Sequence, residues 1–283
     1  MVYDFAIYGS GISAKITAIA LAKNNFSVCL ISDIDINQTK STTSNLVTFL
    51  STGSINYLQN ILNFSEIFNK FETIKSIICE FDIKDRNKPQ TFSFNENQEQ
   101  SLGKIINNNY FDDCLNNEIE NQSSILQIKN NDITHIEQSL SQIQVMLQNN
   151  TQINATLFIL SSTKNKSIVK NSEIQFIEQD FNQDALSILF NADIEKTDCA
   201  FQKFSSDSSL ALLPFQKNQA SVVWSIKRNS NTFKMNNNEL QIELNKKLKK
   251  YVKNLEIINT ERHKLKFRYA KKLFKHNIVL IGN

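Results

Sequence analysis

The chain is poor in glycine, proline, histidine and long apolar runs, and each shortage removes a class of function. Its 283 residues include five glycines, two prolines, four cysteines and three histidines. His135, His263 and His276 lie far apart without ligand spacing, so no metal centre is expected. Cys29, Cys79, Cys114 and Cys199 form no C-x-x-C pair and read as reduced, mostly buried thiols of a cytoplasmic protein. No apolar run approaches the roughly 20 residues that span a bilayer. Met1-Val2-Tyr3-Asp4 lacks the basic start of a signal peptide and runs straight into a strand pattern. The expected location is the cytoplasm, with at most peripheral contact at the inner face of the cell membrane. The sequence has no nucleophile elbow and no phosphate-binding P-loop, and nothing in it points to nucleic acid.

Where glycine does occur, it is informative. Two of the five stand in Gly9-Ser10-Gly11-Ile12-Ser13-Ala14, after the apolar run Val2 to Tyr8 and before a helical pattern from Ile12 to about Lys23. A glycine pattern alone is weak evidence, but strand, glycine turn and helix in that order form a dinucleotide site with a mechanism. Gly9 permits the tight turn, Gly11 lets backbone approach a pyrophosphate, and Ala14 keeps the helix close to the strand. The helix start then faces the phosphates with free N–H groups and the positive end of its dipole. The alternative is an ordinary βαβ turn without a ligand.

Ser27 to Ser32 completes a βαβ opening, which predicts a parallel sheet covered by helices. Asn24-Asn25 ends the first helix, with Asn able to take a left-handed cap. Further helices are expected over Ser54 to Leu62, Tyr110 to Ile119 and Glu239 to about Leu255. Strands are expected over 125–128, 142–148 and 155–160. From Glu173 onward, strands at 174–178, 185–190, 210–215 and 220–226 follow one another without helices, which suggests an antiparallel lobe. A last strand is expected at 278–281.

The net charge of +3 hides an asymmetry, because Leu240 to His276 holds 12 Lys/Arg against 3 Asp/Glu. A solvated helix face is the favoured reading, since Lys246, Lys247, Lys249, Lys250 and Lys253 follow helical spacing. Contact with an anionic membrane surface or a partner is the other.

In this order the features resemble the FAD-dependent aromatic hydroxylases, most closely the 2-polyprenyl-6-methoxyphenol hydroxylase-like branch of ubiquinone biosynthesis. Tyr3 to Ser32 is similar to the family's FAD-binding βαβ. Thr48 to Leu58 is similar to its Thr-Ala-Leu-Ser segment, and Leu102-Gly103-Lys104 through Asn107 to its Leu-Gly-Tyr segment. Leu212-Leu213-Pro214-Phe215 with Ser221 to Ser225 resembles the hairpin of its substrate lobe. Val279 to Asn283 resembles its second FAD motif. The resemblance implies an α/β fold: a Rossmann-like FAD-binding domain with a parallel sheet, plus an antiparallel substrate lobe, lacking the family's carboxyl-terminal helices. It divides the chain into a discontinuous FAD domain over 1–75, 100–170 and 260–283 and a substrate lobe over 76–99 and 171–259.

The resemblance further implies that FAD, reduced by NAD(P)H, hydroxylates a polyprenylated phenol within a ubiquinone-biosynthesis assembly. No side chain then has to be catalytic, because the cofactor carries the chemistry. The implied cofactor residues are Gly9, Ser10, Gly11, Ser13, Ala14, Ser32, Asp33, Gly282 and Asn283. Pro214 is implied near the substrate ring, its other reading being the end of an edge strand.

Four departures weigh against efficient turnover. Ser32 replaces the acid that closes strand two, a loss on the order of 1.5–3 kcal/mol for a charged hydrogen bond, and because adjacent strand residues alternate faces the neighbouring Asp33 is no automatic substitute. Leu46 stands near the position of a family arginine, with Lys40 the nearest cation. Ser161-Ser162-Thr163 replaces an Asp-Gly motif. The sequence stops at Asn283, before the family's next helix. A truncated or degenerate monooxygenase is therefore one reading. A non-catalytic scaffold of a biosynthetic complex is the second, and an NAD-binding domain of another oxidoreductase class a weaker third.

Overall fold

The computed structural model describes residues 2–32, 47–62, 65–82, 89–95, 101–129, 131–139, 141–163 and 165–282. The chain opens as β1 (Val2–Tyr8), α1 (Ile12–Lys23) and β2 (Val28–Ile31), then continues through β3 (Val47–Ser51), α2 (Thr52–Leu62) and α3 (Ser65–Phe68). Next come β4 (Glu72–Ile74), β5 (Ser76–Phe81), β6 (Gln90–Asn95), β7 (Gly103–Asn107), α4 (Asn108–Glu120) and β8 (Ile125–Ile128). They are followed by β9 (Ile133–Gln138), β10 (Ile143–Leu147), β11 (Gln152–Leu160), α5 (Lys166–Asn171) and β12 (Phe176–Gln179). The second half holds β13 (Gln183–Ile194), β14 (Cys199–Phe204), β15 (Ser208–Gln216), β16 (Gln219–Lys227), α6 (Asn231–Lys234) and α7 (Asn237–Leu248). It closes with β17 (Val252–Lys264), β18 (Phe267–Ala270), β19 (Phe274–Lys275) and β20 (Ile278–Leu280).

The first sheet runs β19-β20-β11-β1-β2-β8, with the β9–β10 arm joined to β11. Its five strands β20, β11, β1, β2 and β8 are parallel. A parallel sheet needs cover on both faces, and β1 supplies both. Ile7 points into a core with α1, α2 and α4, while Ala6 and Tyr8 point into a second core under β9, β10 and α5. Small residues bring α1 onto the sheet: Ala14 and Ala18 are fully buried. Asn25 takes φ 65° after the helix, the left-handed turn expected there.

The second large sheet runs β17-β13-β16-β15-β14-β5-β6. It is antiparallel except for the β14–β5 pair. Leu240, Leu244 and Leu248 of α7, four residues apart, pack on one face. The other face meets the small β3-β7-β4 sheet through Ile74, Ile105, Ala200 and Phe215. The antiparallel lobe expected after Glu173 is thus present, and it recruits β5 and β6 from the first third of the chain. No helix among the described residues is long and apolar enough to cross a membrane.

Three expectations are corrected. The lysine-rich helix ends at Leu248, and Leu255 lies in β17, because Val252, Leu255 and Ile257 pack across the sheet. Pro214 does not end an edge strand. It lies inside β15, between β14 and β16, where a register shift between Pro214 and Gln216 accommodates its missing N–H. Much of the basic tail is strand rather than solvated helix, since the basic residues from Lys253 to Arg268 fall in β17, β18 and the turn between them.

Candidate functional site

Five parallel strands end in one row. The register aligns Tyr8 with Ile31, Leu160 with Tyr8 and Leu280, and Ile31 with Ile128. The residues that follow are therefore brought together at the carboxyl edge of the sheet, where open α/β sheets bind ligands. They are Gly9, Ser32, Ser161, Lys129 and Ile281, with Gly282 one position beyond. Backbone bonds extend the row: Gly9 N–H donates to the Ile31 carbonyl at 3.0 Å, Ser161 N–H to Tyr8 at 2.9 Å and Ile281 N–H to Leu160 at 3.1 Å.

Gly9 takes φ +145°, and a Cβ there would lie 3.2 Å from Ser161 Cβ. Both its conformation and its close packing call for glycine. Gly11 is different: it caps α1 with extended backbone (φ −78°, ψ 168°), no side-chain oxygen caps the helix, and no atom lies within 4 Å of a Cβ built there. Space is open where a phosphate would sit. Gly282, at φ +83°, stands opposite, its Cβ direction 3.6 Å from Ser13 Cβ and 3.5 Å from Ser161 Oγ. Ser10 lies at the rim, Ser13 is exposed, and Ala14 is buried beneath. Asp33, Asn283, Leu46 and Lys40 lie outside the described residues.

The first intrahelical bond of α1 runs from Lys15 N–H to the Gly11 carbonyl at 3.2 Å. The amides before it have no intrahelical acceptor and carry the positive end of the helix dipole. Below them is a cavity of about 30 Å³ lined by Gly9, Ser10, Lys15, Ser32, Gln127 and Lys129, among others. Lys15 is a contributor the sequence reading missed. Its side chain is 9% exposed, and Nζ sits 2.6 Å from Asp112 Oδ1 of α4. With Lys23–Glu118 at 3.0 Å it ties α1 to α4. The signal was a lysine placed among Ala14, Ala18 and Ala22 on the buried face of the helix.

The residues at the start of α1 fit a dinucleotide's phosphates better than its ribose. Open Gly11, turned Gly9 and the α1 amides suit a diphosphate. Ser32, 9% exposed, offers a hydroxyl where a carboxylate is expected. Ser161 and Ser162 pack against Gly9 where the Asp-Gly motif is expected. Among the described residues no three His, Cys, Asp or Glu gather as a metal site.

Lys104 and Gly103 lie on β7 of the three-stranded sheet. A Cβ on Gly103 would fall 2.0 Å from the Leu50 carbonyl oxygen, so β3 and β7 approach as closely as they do only with glycine there. Lys104 Nζ donates to Thr73 Oγ1 at 2.8 Å and the Phe71 carbonyl at 3.1 Å, and burial lowers its pKa. Pro214 pairs with Ala220, whose side chain belongs to the α7-side core. Its neighbours Leu213 and Phe215 face the β3-β7-β4 sheet instead.

No family model matches the chain. It is 24% identical over 261 residues to the mitochondrial ubiquinone biosynthesis monooxygenase COQ6 of Dictyostelium discoideum, a match covering 79% of this chain and 52% of that protein. The chain thus spans about half the length of the curated relative it matches. Among solved structures, the flavin-dependent brominase Bmp2 superposes with a TM-score of 0.76 at 13% identity, covering 100% of this chain and 72% of its own. The p-nitrophenol 4-monooxygenase PnpA of Pseudomonas putida DLL-E4 gives 0.74 at 9% identity, covering 99% and 72%. The flavin-dependent monooxygenase PieE, solved with FAD and substrate, gives 0.75 at 8% identity, covering 100% and 53%. With its parallel sheet, its glycine turn at the mouth of α1 and its antiparallel lobe, the chain has the fold of the FAD-dependent aromatic hydroxylases, and in sequence it is similar to a ubiquinone-biosynthesis monooxygenase.

Proposed function

We propose that the chain binds FAD and serves as a monooxygenase acting on a polyprenylated phenol of ubiquinone biosynthesis, with NAD(P)H as reductant. One observation carries the reading: Gly9, Gly11, Ser13, Ser161 and Gly282, from three distant segments, meet at the start of α1 and the ends of β1, β11 and β20. Bound FAD would supply the redox and oxygen chemistry. The chain's own residues bind and orient it. The α1 amides hold the diphosphate, Gly11 lets it approach, and Ser32 offers the ribose a hydroxyl. The apolar face of the second sheet, with Leu189, Leu213 and Phe215, packs together with Phe49 of β3 and gives that side of the lobe a dry lining. We assign the parallel-sheet portion to the cofactor and the second sheet to the phenol. The substrate's polyprenyl tail favours work at a membrane surface, within a ubiquinone-biosynthesis assembly.

A non-catalytic scaffold role in such an assembly is the second reading. Ser32 and the Ser161-Ser162 packing against Gly9 favour it, since both weaken the hold on a nucleotide. The decisive experiment is titration of the purified chain with FAD, followed by assay of phenol hydroxylation with NADPH. Saturable binding with turnover supports the enzyme. A chain that ignores FAD, yet rescues a quinone-deficient strain as the Gly11→Asp variant, supports the scaffold.

A further inference from the structure

The ribbon formed by β12 and β18 has two unlike faces. Phe176 pairs with Ala270, and both turn inward onto the second core. Ile177 pairs with Tyr269 and Gln179 with Phe267, so these side chains turn outward. The Phe267 ring lies 5.4 Å from Tyr269 and 5.5 Å from Phe181. Ile177, Phe181, Phe267 and Tyr269 are 37%, 53%, 40% and 46% exposed. The ladder continues where Lys271 N–H donates to the Gln175 carbonyl at 2.8 Å. It leads to Leu273 and Phe274, which are more exposed still. Single exposed apolar residues are ordinary, but six on a two-stranded ribbon and the hairpin that follows it are not.

Charge follows the same row. From Arg262 to Gly282 there are seven Lys/Arg and no Asp or Glu. The acids on neighbouring elements are already engaged: Glu178 by Arg268 at 3.1 Å, Glu173 by Lys275 and Asp180 by Arg228. Lys264, Lys266 and Lys272 form no ion pair among the described residues. A cleft of about 400 Å³ at one end of the ribbon is lined by Lys234, Lys264 and Lys266 beside the Arg228–Asp184 pair, and one of about 500 Å³ at the other by Lys271, Lys272 and Phe274 beside the Lys275–Glu173 pair.

We propose that this ribbon face and the following hairpin rest on an anionic lipid bilayer, the aromatic and aliphatic side chains entering the interface and the lysines meeting lipid phosphates. Aromatic rings level with the headgroups and lysines that reach outward are the two signals a bilayer surface reads. A second copy of the chain fits poorly. Two-fold pairing would bring the lysines of one copy, Lys266, Lys271 and Lys272, against those of the other. The apolar side chains also project from a ribbon of only two strands. The inference deepens the membrane contact proposed above, and its test needs neither flavin nor phenol. A negative result here leaves the flavin reading standing, and failure to bind FAD leaves this one standing.

The test is co-sedimentation of the chain with phosphatidylcholine vesicles, with or without phosphatidylglycerol, at low and high salt. Two variants accompany it, Lys266→Glu/Lys271→Glu/Lys272→Glu and Phe267→Ser/Tyr269→Ser. All five positions are exposed, and circular dichroism verifies that both variants fold. The expected result is binding to anionic vesicles about tenfold or more above neutral ones, weakened by salt and lost on charge reversal. The aromatic variant should bind several-fold more weakly. Absence of binding, equal binding to neutral vesicles, or variants that bind like the parent chain would overturn the proposal. So would retention on polyglutamate without vesicle binding, which would assign the face to an acidic protein.

Discussion

Gly9 and Gly11 stand two residues apart and are glycines for different reasons. Gly9 needs its backbone conformation and its contact with Ser161, whereas Gly11 sits in ordinary extended backbone beside open space. Gly11→Asp therefore separates folding from binding. An aspartate is a good helix N-cap, better than glycine by only about a few tenths of a kcal/mol. The variant should melt no lower than the parent chain while losing FAD affinity, because its carboxylate occupies the phosphate position. Calorimetry and FAD titration on the same sample check both halves. Gly103→Ala should do the reverse. Its methyl would press on the Leu50 carbonyl, costing about 1–3 kcal/mol, visible as a lower urea midpoint. Burial pushes the Cys29 thiol from its ordinary 9.0 up to about 12. Below pH 9 the thiol is neutral whether the chain is folded or unfolded, and its contribution to stability is constant. Above pH 9 the unfolded chain releases the proton first, so stability falls as pH rises toward 12, by up to about 1.4 kcal/mol per pH unit for this thiol. Urea melts from pH 7 to 10 should show the fall beginning near 9, with a smaller slope in Cys29→Ala.

Elements were legible where a local signal and a packing partner agreed. The helix over residues 110–119 is found as Asn108–Glu120, capped by Asn107, whose side chain accepts from Tyr110 N–H at 3.1 Å. The asparagine run at 236–238 starts α7 through a reciprocal box. Glu239 N–H donates to Asn236 Oδ1 at 3.0 Å, and Asn236 N–H to Glu239 Oε2 at 2.8 Å. Asn236→Ala should cost about 0.5–2 kcal/mol, measured as a lower urea midpoint. Elements were illegible where long-range pairing overrode local pattern. β17 is largely polar and alternates weakly, yet it pairs with β13 along most of its length. Its positive-φ Asn254 and its register shifts blur the period that a strand shows in sequence. β14 mixes Gln and Lys into an apolar run and exists because β15 and β5 flank it.

At the scale of the whole molecule, three sequence segments become one site because five parallel strands end in register. FAD that binds only the folded chain should raise stability by about 2.7 kcal/mol at a hundredfold excess over its dissociation constant. A thermal shift that grows with FAD and is absent in Gly11→Asp would confirm that coupling. The sequence alone determined the βαβ opening, the glycine turn and the antiparallel second half, because those are set by local periodicity and by backbone freedom at single residues. Tertiary structure decided that β5 and β6 join the second sheet and that Lys15 is clamped by Asp112. It also decided that Ser161 fills the space beside Gly9 and that the aromatic face of β18 points outward. Those outcomes depend on which distant strands share a ladder, and strand pairing across a hundred or more residues leaves no local trace in the chain.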